Sequence, residues 1–173
     1  MESTIKTQII VCGRGGQGVL FLTKLLDEAA ISEGCDVISS ETHGMAMRGG
    51  SVVSYIKIGG YHSPLIRAGQ ADVLLVLSKT ELERNRYLAK EGCKQVYVND
   101  AEAGDRVIDA TREAGHLGSV VVTNLVLLGF ACGHDGFPFG FEKIKSVLEK
   151  ISPERAVELN LRALERGYEQ ATR

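Results

Sequence analysis

Residues 8–18, Gln-Ile-Ile-Val-Cys-Gly-Arg-Gly-Gly-Gln-Gly, constrain the fold of this chain more than any other stretch. Gln8 to Cys12 is a continuous apolar run, the signature of a strand buried on both faces of a parallel sheet. It stops at a glycine loop, after which Leu22, Leu25, Leu26, Ala29 and Ala30 recur at helical spacing and Gly34 offers a stop. Asp36 to Ser40 then supplies a second strand, completing a βαβ unit. Gly13, Gly15 and Gly18 satisfy G-x-G-x-x-G between that strand and helix. There, missing side chains let backbone approach a ligand, and the helix start presents free N–H groups to a phosphate. A phosphate-type ligand, a buried partner contact and a merely tight turn all fit this pattern. A dinucleotide site also needs an acid near the end of the second strand. Asp36 sits at the start of that strand and Glu41 just past its end, so neither is well placed.

The remaining pattern extends the α/β reading. Glu41 to Gly50 has no period and predicts a loop; Ser51 to Ile58 alternates, and Gly59-Gly60 turns it into Tyr61 to Ile66 as an antiparallel hairpin, half-exposed at an edge or in an insertion. Val73 to Leu77 and Val96 to Val98 predict buried strands, and Arg106 to Ala110 a weaker one. Ser78 and Glu81 have capping-box spacing and open a helix to about Glu91, ended by Gly92. Ser119 to Ala131 is taken as a buried helix, Phe137 to Phe141 as an aromatic loop and Glu142 to Lys150 as a helix. Ser152-Pro153 starts the last one, with Ala156, Leu159, Asn160, Ala163 and Gly167 along one stripe suited to close packing. The expectation is one domain over residues 1–173: a Rossmann-like three-layer α/β/α fold with a mostly parallel, mixed sheet and one antiparallel hairpin.

Composition removes several functions. With 173 residues, 44% hydrophobic and 24% charged, the chain can bury a real core. A net charge of −2 with interleaved signs gives no footprint for nucleic acid or a membrane surface. Met1 to Lys6 lacks the apolar run of a signal peptide, and Val120 to Cys132 is broken by Thr123, Asn124 and Gly129. A cytoplasmic protein is expected. Cys12, Cys35, Cys93 and Cys132 stand alone, without the spacing of a zinc or iron–sulfur site, and Cys12 and Cys132 fit as core fillers. No G-x-S-x-G, H-E-x-x-H or G-x-x-x-x-G-K-[ST] motif occurs. His62, His116 and His134 lack ligand spacing, and Asp100, Glu102 and Asp105 suit a solvated turn. No catalytic residue and no metal ligand is assigned.

A second constellation is Glu41-Thr42-His43-Gly44-Met45-Ala46-Met47-Arg48-Gly49-Gly50, leaving the carboxyl end of a strand, where open α/β sheets bind ligands. Methionines make adaptable contacts and Arg48 can pair with a phosphate or carboxylate. A plain surface loop with solvated His43 and Arg48 fits equally well.

Taken together, Gly13 to Val19 and Thr42 to Ser51 resemble the γ subunits, or γ domains, of 2-oxoacid:ferredoxin oxidoreductases. Ser63 to Ile66, Ala71 to Leu75, Asn124 to Gly129 and the helix from Asn160 to Tyr168 extend the resemblance over nearly the whole chain. The His43-Gly44-Met45-Ala46 form before Arg48-Gly49-Gly50 is most similar to indolepyruvate-type enzymes. The resemblance implies a non-catalytic subunit of a complex that oxidises a 2-oxoacid to acyl-CoA. Thiamine diphosphate and iron–sulfur clusters would then sit on partner subunits, through G-D-G…N-N and cysteine motifs that this sequence lacks. Coenzyme A becomes the candidate ligand of Gly13, Arg14, Gly15, Gly16, Gln17, Gly18, Thr42, His43, Gly44, Arg48, Gly49 and Gly50, with no cofactor held tightly by this chain. Thiamine-binding and ferredoxin-like chains are the expected partners, with a homodimer as a further option. Met45, Met47, Phe137 to Phe141 and the stripe on the last helix are the expected apolar contact surface. Two other readings stay open: a stand-alone NAD(P)-binding reductase, and a scaffold whose glycine loop meets only protein.

Overall fold

A computed structural model describes residues 5–43, 49–102 and 106–173. Six strands form one sheet: β1 (Thr7–Arg14), β2 (Val37–His43), β3 (Ser51–Ile58), β4 (Val73–Val76), β5 (Val96–Asn99) and β6 (Val107–Ile108), in the order β2-β3-β1-β4-β5-β6. β3 is antiparallel to both β1 and β2, whereas β1, β4, β5 and β6 pair in parallel. The α/β class and mixed sheet agree with the sequence. The βαβ unit is altered, because β3 lies between β1 and β2.

Strand residues alternate between two cores, as the pleat requires. Ile9, Val11, Ile56, Leu75 and Tyr97 face the larger one, built with α1 (Val19–Ser32), α3 (Ala110–His116), α4 (Thr123–Cys132), α5 (Phe141–Ile151) and α6 (Val157–Ala171). Ile10, Cys12, Val53, Leu74, Val76 and Val98 face a thinner layer formed by Ile66, Ala71, α2 (Lys79–Asn85) and Leu88. Among the described residues, five α-helices therefore cover one face and one short α-helix the other.

Several expectations fail for physical reasons. Tyr61 to Ile66 forms no strand, so the expected hairpin does not exist there. The chain turns at Gly59 and Gly60, both at positive φ, and crosses the sheet to bury Ile66 in the second core. The antiparallel partners of β3 are β1 and β2, and its alternation misled because Val53 and Lys57, on its other face, are buried too. α2 ends at Asn85 and passes into a 3-10 turn at Arg86–Leu88, well short of Glu91. Ala110 opens α3 rather than closing a strand, with the Asp109 side chain accepting from Arg112 N at 2.9 Å. α6 starts at Val157, after a 3-10 turn, and Asn160 reaches back to Ser152 Oγ at 2.9 Å. The expected contact surface is also largely internal: Phe139 is buried, Phe137 packs on the core, and the stripe on α6 lies against α4. Met45 and Met47 lie outside the described residues.

The α4–α6 crossing explains that stripe. A Cβ on Gly129 would sit 1.9 Å from Leu164 O, and one on Gly167 1.9 Å from Val126 O. Backbone meets backbone there, and any side chain must push the helices apart. Gly129→Ala or Gly167→Ala should each cost about 1–3 kcal/mol of stability. Denaturant unfolding of the purified chain checks this, and an unchanged midpoint would refute the backbone contact.

Glu113 links α3 to α6. It is buried, accepting from Arg166 Nε at 2.7 Å and Arg112 Nη2 at 3.4 Å. Burial alone pushes its carboxyl up, but Arg166 and then Arg112 outweigh this and hold it below the usual range. A depressed folded value contributes stability above the unfolded pKa of about 4.3 and loses it as pH falls through the folded value. The stability gap between wild type and Glu113→Gln should be flat above about pH 5 and shrink on acidification. Urea titrations across pH 3–7 check it, and a pH-independent gap would contradict the linkage.

Candidate functional site

The two motif loops meet at one edge of the sheet because β1 ends where antiparallel β3 begins. Arg14 pairs with Ser51, and beyond them Gly15 N donates to Gly50 O at 2.8 Å. A Cβ on Gly15 would lie 3.2 Å from Gly49 N, so glycine there allows the close approach. Gln17 braces the loop from inside: its amide oxygen accepts from Arg14 N at 2.7 Å and its amide nitrogen donates to Leu77 O at 3.2 Å. Gly18, at φ 78°, begins α1, and a Cβ on it would fall 2.3 Å from Asn124 Nδ2. That nitrogen donates to Gly18 O at 3.2 Å and ties the loop to α4. No side chain caps α1 and its first turn carries no acid, so its positive end is not neutralised from within the helix.

The loop borders an open cleft of about 420 Å³, lined by Arg14, Gly15, Gly16, Gly18, Leu20 and His43 together with Val19 and Val52. Its place differs from that in doubly wound sheets, whose ligands sit where helices change face. Here α1 and α2 pack on opposite faces, so that point lies between β1 and β4. Gln17 and Asn99 both donate to Leu77 O there, at 3.2 and 3.1 Å. The cleft opens on the β3 side instead. His43, opposite Val52 in the β2–β3 pair, has Nε2 3.8 Å from Glu41 Oε2.

The proposed site residues therefore divide. Arg14, Gly15, Gly16, Gly18 and His43 line the cleft, and Gly49 and Gly50 abut Gly15. Gly13 and Gln17 act within the loop: a Cβ on Gly13 would sit 3.0 Å from Gln17 Oε1. Thr42 is exposed, its hydroxyl 3.5 Å from Val53 O, and the pleat turns it away from the His43 side. Gly44 and Arg48 lie outside the described residues. The acid needed for a dinucleotide is poorly placed as well, since Glu41 lies on β2, one strand removed from β1.

Two buried polar residues escaped sequence reading. Asn124 stood in an apolar run, and only its polarity there signalled the tie to Gly18. Glu81 matched a capping box, yet Ser78 makes no side-chain cap and Glu81 is 1% exposed, receiving Ser51 Oγ at 2.6 Å. None of the remaining candidates lines the cleft. Burial, then the charge of Glu81, pushes the Cys12 thiol up to about 12, and burial pushes Cys132 up as well. His134 Nδ1 lies 2.8 Å from Phe130 O, while His62 and His116 are exposed. Lys79 pairs with Asp100 at 3.0 Å and Glu102 at 2.5 Å, while Asp105 lies outside the described residues. Among the described residues, no three His, Cys, Asp or Glu side chains converge as a metal site would need.

Comparison with known proteins accounts for this combination. The sequence profile of the family described as pyruvate ferredoxin/flavodoxin oxidoreductase matches residues 8–170. The indolepyruvate oxidoreductase subunit IorB of Archaeoglobus fulgidus is 34% identical, with 96% of each chain covered. The 2-oxoglutarate synthase subunit KorC of Methanocaldococcus jannaschii is 25% identical over 96% of this chain and 95% of its own. The crystal structure of the γ subunit of a keto/oxoacid ferredoxin oxidoreductase from Geobacter sulfurreducens superposes with a TM-score of 0.77. That chain is 28% identical, and the match covers 95% of this chain and 98% of that one. With the fold and nearly the full length shared, the chain belongs to the pyruvate ferredoxin/flavodoxin oxidoreductase family, as a γ-type subunit.

Proposed function

We propose that this chain serves a thiamine-diphosphate- and ferredoxin-dependent 2-oxoacid oxidoreductase by holding a phosphate of coenzyme A at the glycine-loop cleft. It contributes no catalytic group and no tightly bound cofactor. The observation that carries this is the clasp between Gly15 N and Gly50 O beside the uncapped start of α1, with Arg14 on the rim. Backbone N–H groups, a helix's positive end and a guanidinium are the groups that bind phosphate. Leu20 and Val19 add an apolar wall suited to the ligand's uncharged part.

The overall reaction converts a 2-oxoacid, coenzyme A and two oxidised ferredoxins into acyl-CoA, carbon dioxide, two reduced ferredoxins and a proton. Thiamine diphosphate supplies the carbanion chemistry and iron–sulfur clusters the electron path, both on partner chains, because the motifs for them are missing here. The higher identity to IorB than to KorC, and the His43 to Gly50 loop, favour an aromatic 2-oxoacid of the indolepyruvate kind. Leu20, Val120 and Val121, 45–77% exposed, supply apolar surface for the thiamine-binding or ferredoxin-like partners. Among the described residues no helix is long and apolar enough to cross a membrane. The NAD(P) reading has less support, since Gln17 and Asn99 occupy the crevice between β1 and β4.

The chain alone, given thiamine diphosphate, should show no oxidation of pyruvate, 2-oxoglutarate or indolepyruvate with viologen as acceptor; turnover would overturn the division of labour. In the reconstituted complex, Arg14→Ala and Arg48→Ala should each raise the coenzyme A requirement. Losing a charge-assisted contact costs about 1.5–3 kcal/mol, roughly ten- to a hundredfold in affinity. Coenzyme A titrations with assembly checked by sizing test this, and unchanged kinetics in both variants would remove the cleft from coenzyme A binding.

A further inference from the structure

Glu81 is a buried carboxylate that does not line the cleft. It stands in the first turn of α2 on the thin side of the sheet, where a surface-helix glutamate would ordinarily face water or cap Ser78. Instead it is 1% exposed, and a buried carboxylate is costly unless its oxygens are hydrogen-bonded. Ser51 Oγ donates to Oε2 at 2.6 Å, the short length of a charge-assisted bond. Arg84 Nη1 donates to Oε1 at 3.3 Å and Asn85 Nδ2 to Oε2 at 3.4 Å. Asn85 Nδ2 also donates to Glu81 O at 2.8 Å, which fixes the helix turn that carries the carboxylate.

Ser51 holds a particular position. Gly49 and Gly50 have no side chains to grip, and Gly49 adopts φ 91°. Ser51 is therefore the first side chain after them that can anchor the chain, and Gly50 O, one residue earlier, takes the Gly15 N–H at 2.8 Å. Ser51 in turn pairs with Arg14 on β1. The bond to Glu81 thus holds, from the far side of the sheet, the backbone that closes on the glycine loop.

We infer that Glu81 is a positioning residue: through Ser51 it clamps Gly49, Gly50 and Ser51 against Gly15 and sets the spacing of the two loops that receive an anionic ligand. This rests on the proposed binding of coenzyme A at the cleft. Small displacements at a binding site remote from the mutated residue are enough to cost one to two orders of magnitude.

The test uses the reconstituted complex with Ser51→Ala, Ser51→Thr, Glu81→Gln and, as a control for the cleft, Arg14→Ala. Ser51→Ala should raise KM for coenzyme A about tenfold with kcat held within about twofold. Ser51→Thr, which restores the hydroxyl, should return KM to near the wild-type value. Glu81→Gln keeps an acceptor without the charge and should fall between them. Thermal midpoints recorded on the same samples separate loss of position from loss of folding. A Ser51→Ala complex that is less thermostable but has unchanged KM makes Glu81 a purely structural carboxylate and overturns the inference. So does a raised KM that Ser51→Thr fails to restore, or a fall confined to kcat. If Arg14→Ala raises KM and Ser51→Ala does not, the clamp alone fails; if neither raises it, the cleft reading fails first.

Discussion

Everything at the site depends on β1 being hydrogen-bonded along both edges, to antiparallel β3 and parallel β4. Thr7 to Gly13 are all buried, so the strand cannot shift register without moving core side chains to the wrong face. Because β3 runs opposite to β1, its first residues arrive where β1 ends. Two glycine-rich loops some 35 residues apart are thereby brought into backbone contact, with the span set by strand pairing. Neither loop makes the clasp alone.

The two faces of the sheet divide the work. The thick face is locked by the α4–α6 crossing, where Gly129 and Gly167 let helix backbones touch, and by Glu113 between α3 and α6. It also supplies Asn124, which ties the glycine loop to α4. The thin face carries α2, and from it Glu81 reaches the start of β3. The cleft is thus braced from both sides by buried polar groups, while its lining combines three glycines with Arg14, Val19, Leu20, His43 and Val52. Buried support behind an open cleft suits a subunit that must accept a ligand at the boundary of a larger assembly.

Much of this was legible in the sequence. The apolar run before Gly13 and the helical spacing after Gly18 gave β1 and α1, since both are decided by burial of local residues. Val73–Val76 and Val96–Asn99 followed from the same logic. What failed was nonlocal. The alternation of Ser51 to Ile58 is that of a half-exposed strand, and only the layer formed by Ile66, Ala71 and Leu88 buries the other face. The Ser78–Glu81 spacing describes a cap equally well whether Glu81 turns back or reaches Ser51, and only β3's position decides. Similarly, small residues on α6 signalled a close neighbour, and their spacing could not say that α4 already fills it. For the site, the glycines located the loop, while the cleft's displacement from the β1–β4 crevice depends on where the Gln17 amide points.

Amide hydrogen–deuterium exchange on the assembled complex, with and without coenzyme A, tests the central claim most directly. The account predicts that peptides spanning Gly13 to Leu20 and Gly49 to Ser51 gain protection when coenzyme A binds, because the N–H groups at the uncapped start of α1 meet its phosphate and the clasp between Gly15 and Gly50 opens less often. Protection that appears only on partner chains, with both loops unchanged, would contradict it.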